Sequence, residues 1–473
     1  MSAIRRPWSL TAPLMRWLAS HPRLHFWLRI LRLGLFQFGM GLSLAPISGT
    51  LNRVLINELG IAAAVVGLLL ALHYMVSPAR ALIGYRSDHG RLAGRWRTPY
   101  LVLGALLTYG GLATAPFSLI LLGGNGVMPF WAALTICLVI FLVYGIGVNI
   151  AETIYLALVS DLTPPHERGR VVGVLWIMLV LGTVLGSLLI GELLLDYSHL
   201  RLIQVMQGSA LAFVFLTFVA LLNQERLKPN GDLADVPEAS RPRESLRESL
   251  RRLAGHTALR RLFLVLSLAT AGFAVHDVLL EPYGAQVLAM SVAATTRLTA
   301  LWGGGMLAAI ALAGWLIWRG RPAWLVIAAS CLVGSLGFAA VTLAGQPDGV
   351  ATFLSGVVLI GMGRGLLIIG GLSLVMGLSD RDHAGLFLGL WGISQALAQG
   401  FGTIAAGVTR DLFARAAVTP AFGYQVVYVT ALVLLVGALL RLLLLQRRGD
   451  LAAERIRSPW SSLDQVNADQ VLF

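Results

Sequence analysis

Charge is scarce in this chain. Only 12% of its 473 residues are Asp, Glu, Lys or Arg, about half of the ~25% usual in a soluble domain. With 57% hydrophobic residues and a mean hydropathy of +0.78, the chain has too little polar surface to cover a water-soluble globule, and lipid must be its main solvent. Cysteine is nearly missing. Cys137 and Cys331 both fall in apolar stretches; they offer no disulfide framework or CxxC metal site and read as packed thiols. No GxxxxGKS/T motif is present, which argues against ATP as a driving force. The first 30 residues carry Arg5, Arg6, Arg16, Arg23 and Arg29 but no apolar core ending in small residues. They read as a basic cytoplasmic arm (1–30) on anionic lipid, not as a cleaved signal.

What the chain does have is apolar runs, near 31–51, 62–84, 99–122, 129–159, 171–195, 202–223, 262–284, 297–318, 322–344, 350–378, 385–409 and 422–446. About 20 such residues cross a bilayer, so twelve transmembrane helices are expected. Basic residues lie in the gaps, which accounts for the net charge of +13 without a nucleic-acid partner. If the N terminus is inside, inside segments hold 29 Lys and Arg and outside segments five, with Arg80 and Arg364 within spans. That bias places both termini in the cytoplasm. One long hydrophilic stretch, 225–260, ends in RPRESLRESLRR and predicts an amphipathic helix. It would serve as a cytoplasmic tether, or as a docking surface, between six-helix bundles at 31–224 and 261–446, with a cytoplasmic tail at 447–473.

The halves repeat. Gly145, Gly147, Gly169, Gly173, Gly186 and Gly191 map at a constant offset of 216 onto Gly361, Gly363, Gly385, Gly389, Gly402 and Gly407. Small residues let membrane helices approach closely, and parallel repeats of six helices are a carrier architecture. The same offset pairs Glu152 with Ile368 and Arg364 with Val148. A structural residue should survive in both halves, so these two charges are functional candidates.

Local motifs agree with the repeat. GYRSDHGRLAGRWRTPY, with Gly84, Asp88, Arg95 and Arg97, resembles the loop between the second and third helices of the major facilitator superfamily; Asp88 can accept from arginines and cap helix N–H groups. DLTPPHERGR, from Asp161 through Arg168 to Arg170, resembles the loop between the fourth and fifth. Such loops lock the cytoplasmic helix ends and report gating, not substrate. Six further blocks are similar to the PucC/LhaA family: RLGLFQFGMG (32–41), TLNRVLINELG (50–60), ARALIGYRSD (79–88), AETIYLALVSDL (151–162), LLEPYGAQV (279–287) and TTRLTALWGGG (295–305).

That resemblance implies an all-α membrane protein of the major facilitator superfamily fold, with 12 transmembrane helices in two pseudo-symmetric six-helix bundles. It implies a non-enzymatic factor that binds bacteriochlorophyll as cargo and delivers it to nascent light-harvesting antenna polypeptides. The reaction centre and pigment-synthesis enzymes are further candidate partners. The expected location is a bacterial inner (intracytoplasmic photosynthetic) membrane. LHYMVSPARAL (72–82) combines features of several branches, so core and peripheral antenna both stay open. The alternatives are a proton-coupled transporter of a small organic solute and a pigment-free antenna chaperone. A drug/proton antiporter fits less well, because the fifth span has no proline and the fourth carries Glu152 where an arginine is usual.

Ionisable residues inside a membrane need a partner or a purpose. His73, in the second span, is a candidate magnesium ligand for a chlorin, or a hydrogen-bonded packing histidine. His276 has the same two readings and precedes Asp277 and Glu281, which share a helix face. Pro282 and Gly284 then predict a broken helix end lining a cavity. Glu152, on one face with Asn149, could meet pigment carbonyls, ligate magnesium or carry a proton; alternatively it pairs with Arg80 or Arg364. Arg80, after the kink-prone Pro78, could pair with Glu152 or hold a ring-propionate or carbonyl oxygen. Trp302, Trp315, Trp318, Trp324 and Trp391 read as interface and packing aromatics.

Overall fold

In lipid every backbone polar group has to be satisfied internally, and this chain meets the demand with helices. The computed structural model describes residues 21–89, 97–123, 128–164, 167–222, 224, 257–345, 349–378, 384–416, 420–449 and 451. When helices broken by a kink are joined, twelve helical segments follow one another among these residues. They are 22–58, 63–89, 98–122, Phe130–Leu162, Arg168–Leu193, His199–Leu221, 257–286, Val292–Trp318, Ala323–Leu343, Val350–Leu378, Ala384–Ala416 and Pro420–Arg447. Ten are long and apolar enough to cross a membrane; the second, with its shorter apolar part Ala63–Ala79, and the eleventh are not among the ten. Outward faces are apolar, as at Leu211, Phe215 and Phe218. Cys137 and Cys331 are buried free thiols. The basic arm up to residue 20 and the amphipathic linker helix lie outside the described residues.

The first segment departs from the expected 31–51. It starts at Pro22, inside the stretch read as the arm, and continues past Pro46 through two wide π-helical turns, Ile47–Leu51 and Val54–Glu58. Arg53 therefore sits in a helix and not in an outside loop. The residue is only 4% exposed, its guanidinium paired with Glu58 at 2.6 Å and donating to the Met290 carbonyl at 3.3 Å.

The second segment bends where expected, in a tight turn at Ser77–Ala79. The seventh breaks elsewhere. It stops at Phe273, restarts at His276 and runs through Pro282 to Gln286. Proline denies a hydrogen bond to the carbonyl four residues back, here that of Val278. The Asn52 amide from the other half supplies the missing donor, reaching the Val278 carbonyl at 3.4 Å and the Asp277 carbonyl at 3.2 Å. Tyr428 donates to the Leu279 carbonyl at 3.1 Å. With its freed carbonyls satisfied, the proline stays inside the helix.

The glycine repeat is a packing repeat. A Cβ at Gly145 would meet the backbone of His73 in the second segment, and one at Gly361 that of Trp302 in the eighth. Gly186 packs on Leu42 of the first segment, and Gly402 on Ala271 of the seventh. Gly191 and Gly407 cross between halves, to Arg297 and Ala63. Each pair makes the same contact six segments apart.

Hydrogen bonds between the halves gather at the arginine-poor end. Thr50 meets Thr296 at 2.9 Å, Arg297 binds Glu192 at 2.6 Å, and the Ala64 N–H donates to Asp411 at 2.8 Å. Toward the arginine-rich end the halves touch through an apolar cluster of Val180, Met306 and Ile368. At that end the two loop motifs meet: Arg97 binds Asp161 at 3.0 Å and donates to Ser87 at 2.6 Å. Arg168 begins the fifth segment, and Gly84 faces Thr153. The Asp88 side chain and Arg95 lie outside what is described.

Candidate functional site

A cavity of about 290 Å³ lies between the halves. One helix stripe builds its N-terminal wall: Tyr144, Val148, Glu152 and Leu156, four apart along the fourth segment. The positions related by the repeat, Arg364 and Ile368 on the tenth segment, line the opposite wall. All four members of the two asymmetric pairs therefore face one space, and each pair sets a charge opposite an apolar side chain. His73, Arg80, His276 and Glu281 line it too. Asn149 sits just behind.

On the N-terminal wall the charges are spent on each other. Arg80 pairs with Glu152 at 2.8 Å and donates through Nε to the Asn149 side-chain oxygen. Asn149 in turn donates to the carbonyls of His73 at 2.8 Å and Gly145 at 2.7 Å. Of the alternatives for Glu152, the structure shows the ion pair with Arg80. Arg364 takes no part in it.

The two histidines differ in what remains available. His73 Nδ1 lies 2.7 Å from the Leu70 carbonyl. A carbonyl only accepts, so Nδ1 carries the hydrogen; Nε2 makes no hydrogen bond among the described residues. His276 Nδ1 likewise faces the Phe273 carbonyl at 2.6 Å, but its Nε2 is taken up by Asp277 at 3.2 Å. Its ring stacks on Trp302 with centroids 4.8 Å apart.

Asp277 is the hub of the C-terminal wall. It accepts from Gln399 at 2.6 Å, from Thr403 at 3.5 Å and, across the halves, from Tyr74 at 3.2 Å. Glu281, 6% exposed, is held by Asn52 at 3.2 Å and Thr299 at 3.3 Å. Arg364 donates to the Thr270 hydroxyl at 3.3 Å. Five polar atoms of lining residues, Gln37 Oε1, Ser77 Oγ, Tyr144 Oη, Trp302 Nε1 and Gln399 Oε1, are buried with no hydrogen-bond partner among the described residues.

Trp302 is thus a cavity residue rather than an interface aromatic. Trp391 is buried, while Trp315 and Trp318 are exposed as expected. Tyr144 escaped the sequence reading although the four-residue spacing to Val148 and Glu152 points to it. Tyr74 and Gln399 carry no such signal.

The family profile of the PUCC protein matches residues 50–449, which include every residue that lines the cavity except four on the first segment, Gln37, Leu44, Ile47 and Ser48. The chain belongs to the PUCC family. Among its PUCC relatives, the protein PucC of Cereibacter sphaeroides is 38% identical over 437 residues, covering 90% of this chain and 94% of that one. A Rhodobacter capsulatus protein named bacteriochlorophyll synthase 44.5 kDa chain is 30% identical, over 82% of this chain and 88% of the relative. Among solved structures, the nucleoside transporter NupG (D323A mutant) superposes with a TM-score of 0.66 at 14% identity, covering 88% of this chain and 99% of that one. A bacterial homologue of the lysosomal transporter Spinster, inward-facing and unoccupied, also gives 0.66, at 16% identity over 91% and 98%. These likenesses show the major facilitator fold that the loop motifs had suggested.

Proposed function

We propose that this PUCC protein binds a magnesium bacteriochlorin in the central cavity and hands it to light-harvesting polypeptides as they assemble, by binding and transfer without covalent chemistry. The observation that carries the reading is His73: an imidazole oriented by a backbone carbonyl on Nδ1, in a residue that lines the cavity and whose Nε2 makes no hydrogen bond among the described residues. A hydrogen bond on the nitrogen that does not bind the metal is how proteins orient metal-ligating histidines. Family membership and the name of the bacteriochlorophyll synthase relative support pigment as the cargo. At about 290 Å³ the space is at the small end of pockets for drug-sized ligands; it suits part of a macrocycle and leaves a tail outside. The assignment made from sequence to His276 is withdrawn, because both its nitrogens are engaged.

The test is the absorption spectrum of the full chain purified in mild detergent from a pigment-making host that lacks antenna genes. A stoichiometric near-infrared band is expected, lost in His73→Ala and retained in His276→Ala. A colourless protein that co-purifies antenna polypeptides would replace this reading with a pigment-free chaperone.

One observation favours a second reading, a proton-coupled carrier. His276 and Asp277, 3.2 Å apart, form a pair of ionisable side chains at the cavity wall, and Tyr74 ties that pair to the other half. Solute flux into proteoliposomes, driven by a pH gradient and abolished by Asp277→Asn, would establish it.

A further inference from the structure

The five buried polar atoms left without a partner around the cavity are not alike. Gln37 Oε1 and Gln399 Oε1 can only accept, and the Ser77 hydroxyl sits on a short side chain in the tight turn Ser77–Ala79. Tyr144 and Trp302 each carry a donor on a rigid ring. The Trp302 ring is stacked on His276 at the C-terminal wall. The Tyr144 ring stands edge-on to the His73 imidazole, with centroids 6.3 Å apart and planes at 68°. Tyr144 is 2% exposed, and its hydroxyl lies within electrostatic reach of Tyr74 and Glu152, both of which line the cavity. Neither accepts its hydrogen: Tyr74 gives its own to Asp277, and Glu152 is paired with Arg80.

Buried polar groups are nearly always hydrogen-bonded, and one left unpaired costs more than a satisfied one returns. Phenylalanine would fill the same space at no such cost. The Tyr144 hydroxyl, which the fold leaves idle beside His73, is therefore free to serve a bound molecule. In a magnesium bacteriochlorin the metal holds every ring nitrogen, so no N–H is left to give; the oxygens on the rim are carbonyls, which accept. We infer that Tyr144 donates a hydrogen bond to a carbonyl on the rim of the cargo, a second fixed point beside His73. This rests on the pigment reading above and sharpens it. A bond from His73 to the metal alone leaves the macrocycle free to turn about that bond. A second bond at the rim stops the rotation and selects a ring that carries a carbonyl there. The tail takes no part in it and stays outside the cavity.

The full chain in mild detergent, wild type and Tyr144→Phe, would be melted empty and then titrated with bacteriochlorophyll. Absorbance reports binding, and resonance Raman scattering reports the carbonyl stretches. The empty variant is expected to melt no lower than wild type, because the hydroxyl it loses had no partner. Binding should weaken about fivefold, the worth of one neutral hydrogen bond. One conjugated carbonyl stretch, lowered by the bond in the wild-type complex, should return in the variant to the frequency of an unbonded carbonyl. The Raman marker of metal coordination should stay as in wild type, since His73 is untouched. A lower melting temperature of the empty variant would mean that the hydroxyl serves the fold. Carbonyl stretches alike in the two complexes would mean that it misses the cargo. Either result overturns the inference and leaves the pigment reading standing; a wild type that binds no bacteriochlorophyll removes both.

Discussion

At the scale of single residues the cavity is a ledger of charges that cannot stand alone. Arg80 and Glu152 meet at 2.8 Å with side chains 7% and 16% exposed. Removing one partner of such a pair strands the other, at a cost of about 3–5 kcal/mol, whereas replacing both by apolar residues is often neutral. Glu152→Ala should therefore lower the melting temperature in detergent markedly, and the double variant Arg80→Met/Glu152→Met should recover most of the loss. A loss in the double variant equal to the sum of the two single losses would show that the two act independently. Glu152 and Arg364, which both line the cavity, could be singled out in the sequence because the repeat supplied an internal control at Ile368 and Val148. The partners of Asp277 were not. Tyr74, Gln399 and Thr403 come from three turns on two helices, and only folding brings them together.

At the scale of elements, glycine spacing decides how near the helices come. A side chain at Gly145 would press on the backbone of His73, whereas one at Gly437 would meet nothing. Gly145→Ala is expected to push His73 away and weaken bacteriochlorin binding several-fold. Gly437→Ala should leave binding intact and change stability by no more than ~1 kcal/mol, in the favourable direction given by helix propensity. Titration and melting of the two variants together make the comparison. The glycines could be read from sequence because a close helix contact constrains one position at a time. The fate of Pro282 could not. Whether a proline breaks a helix depends on a donor for the carbonyl it frees, and that donor, Asn52, lies 226 residues from Val278 and in the other half. The same holds at Arg53, where Glu58 keeps a basic residue inside a helix.

At the scale of the whole molecule the halves are fastened by polar bonds at one end and by apolar contact toward the other. Thr50 and Thr296 face each other at 2.9 Å across the fastened end. A Thr50→Cys/Thr296→Cys variant should form a disulfide under mild oxidation, with the native thiols buried out of reach, and should still take up cargo. Failure to cross-link would mean that this end is not closed in the resting protein.

The duplicated frame also bears on direction. Two related halves would ordinarily offer a bound molecule two interchangeable ways to sit, one the image of the other. Here the substitutions of Val148 for Arg364 and Ile368 for Glu152 make them unequal. A molecule seated in one orientation sets a given group against a cation; turned about the pseudo-axis, it would set the same group against valine. Every load would then travel the same way round, and the edge that leaves first is decided on entry.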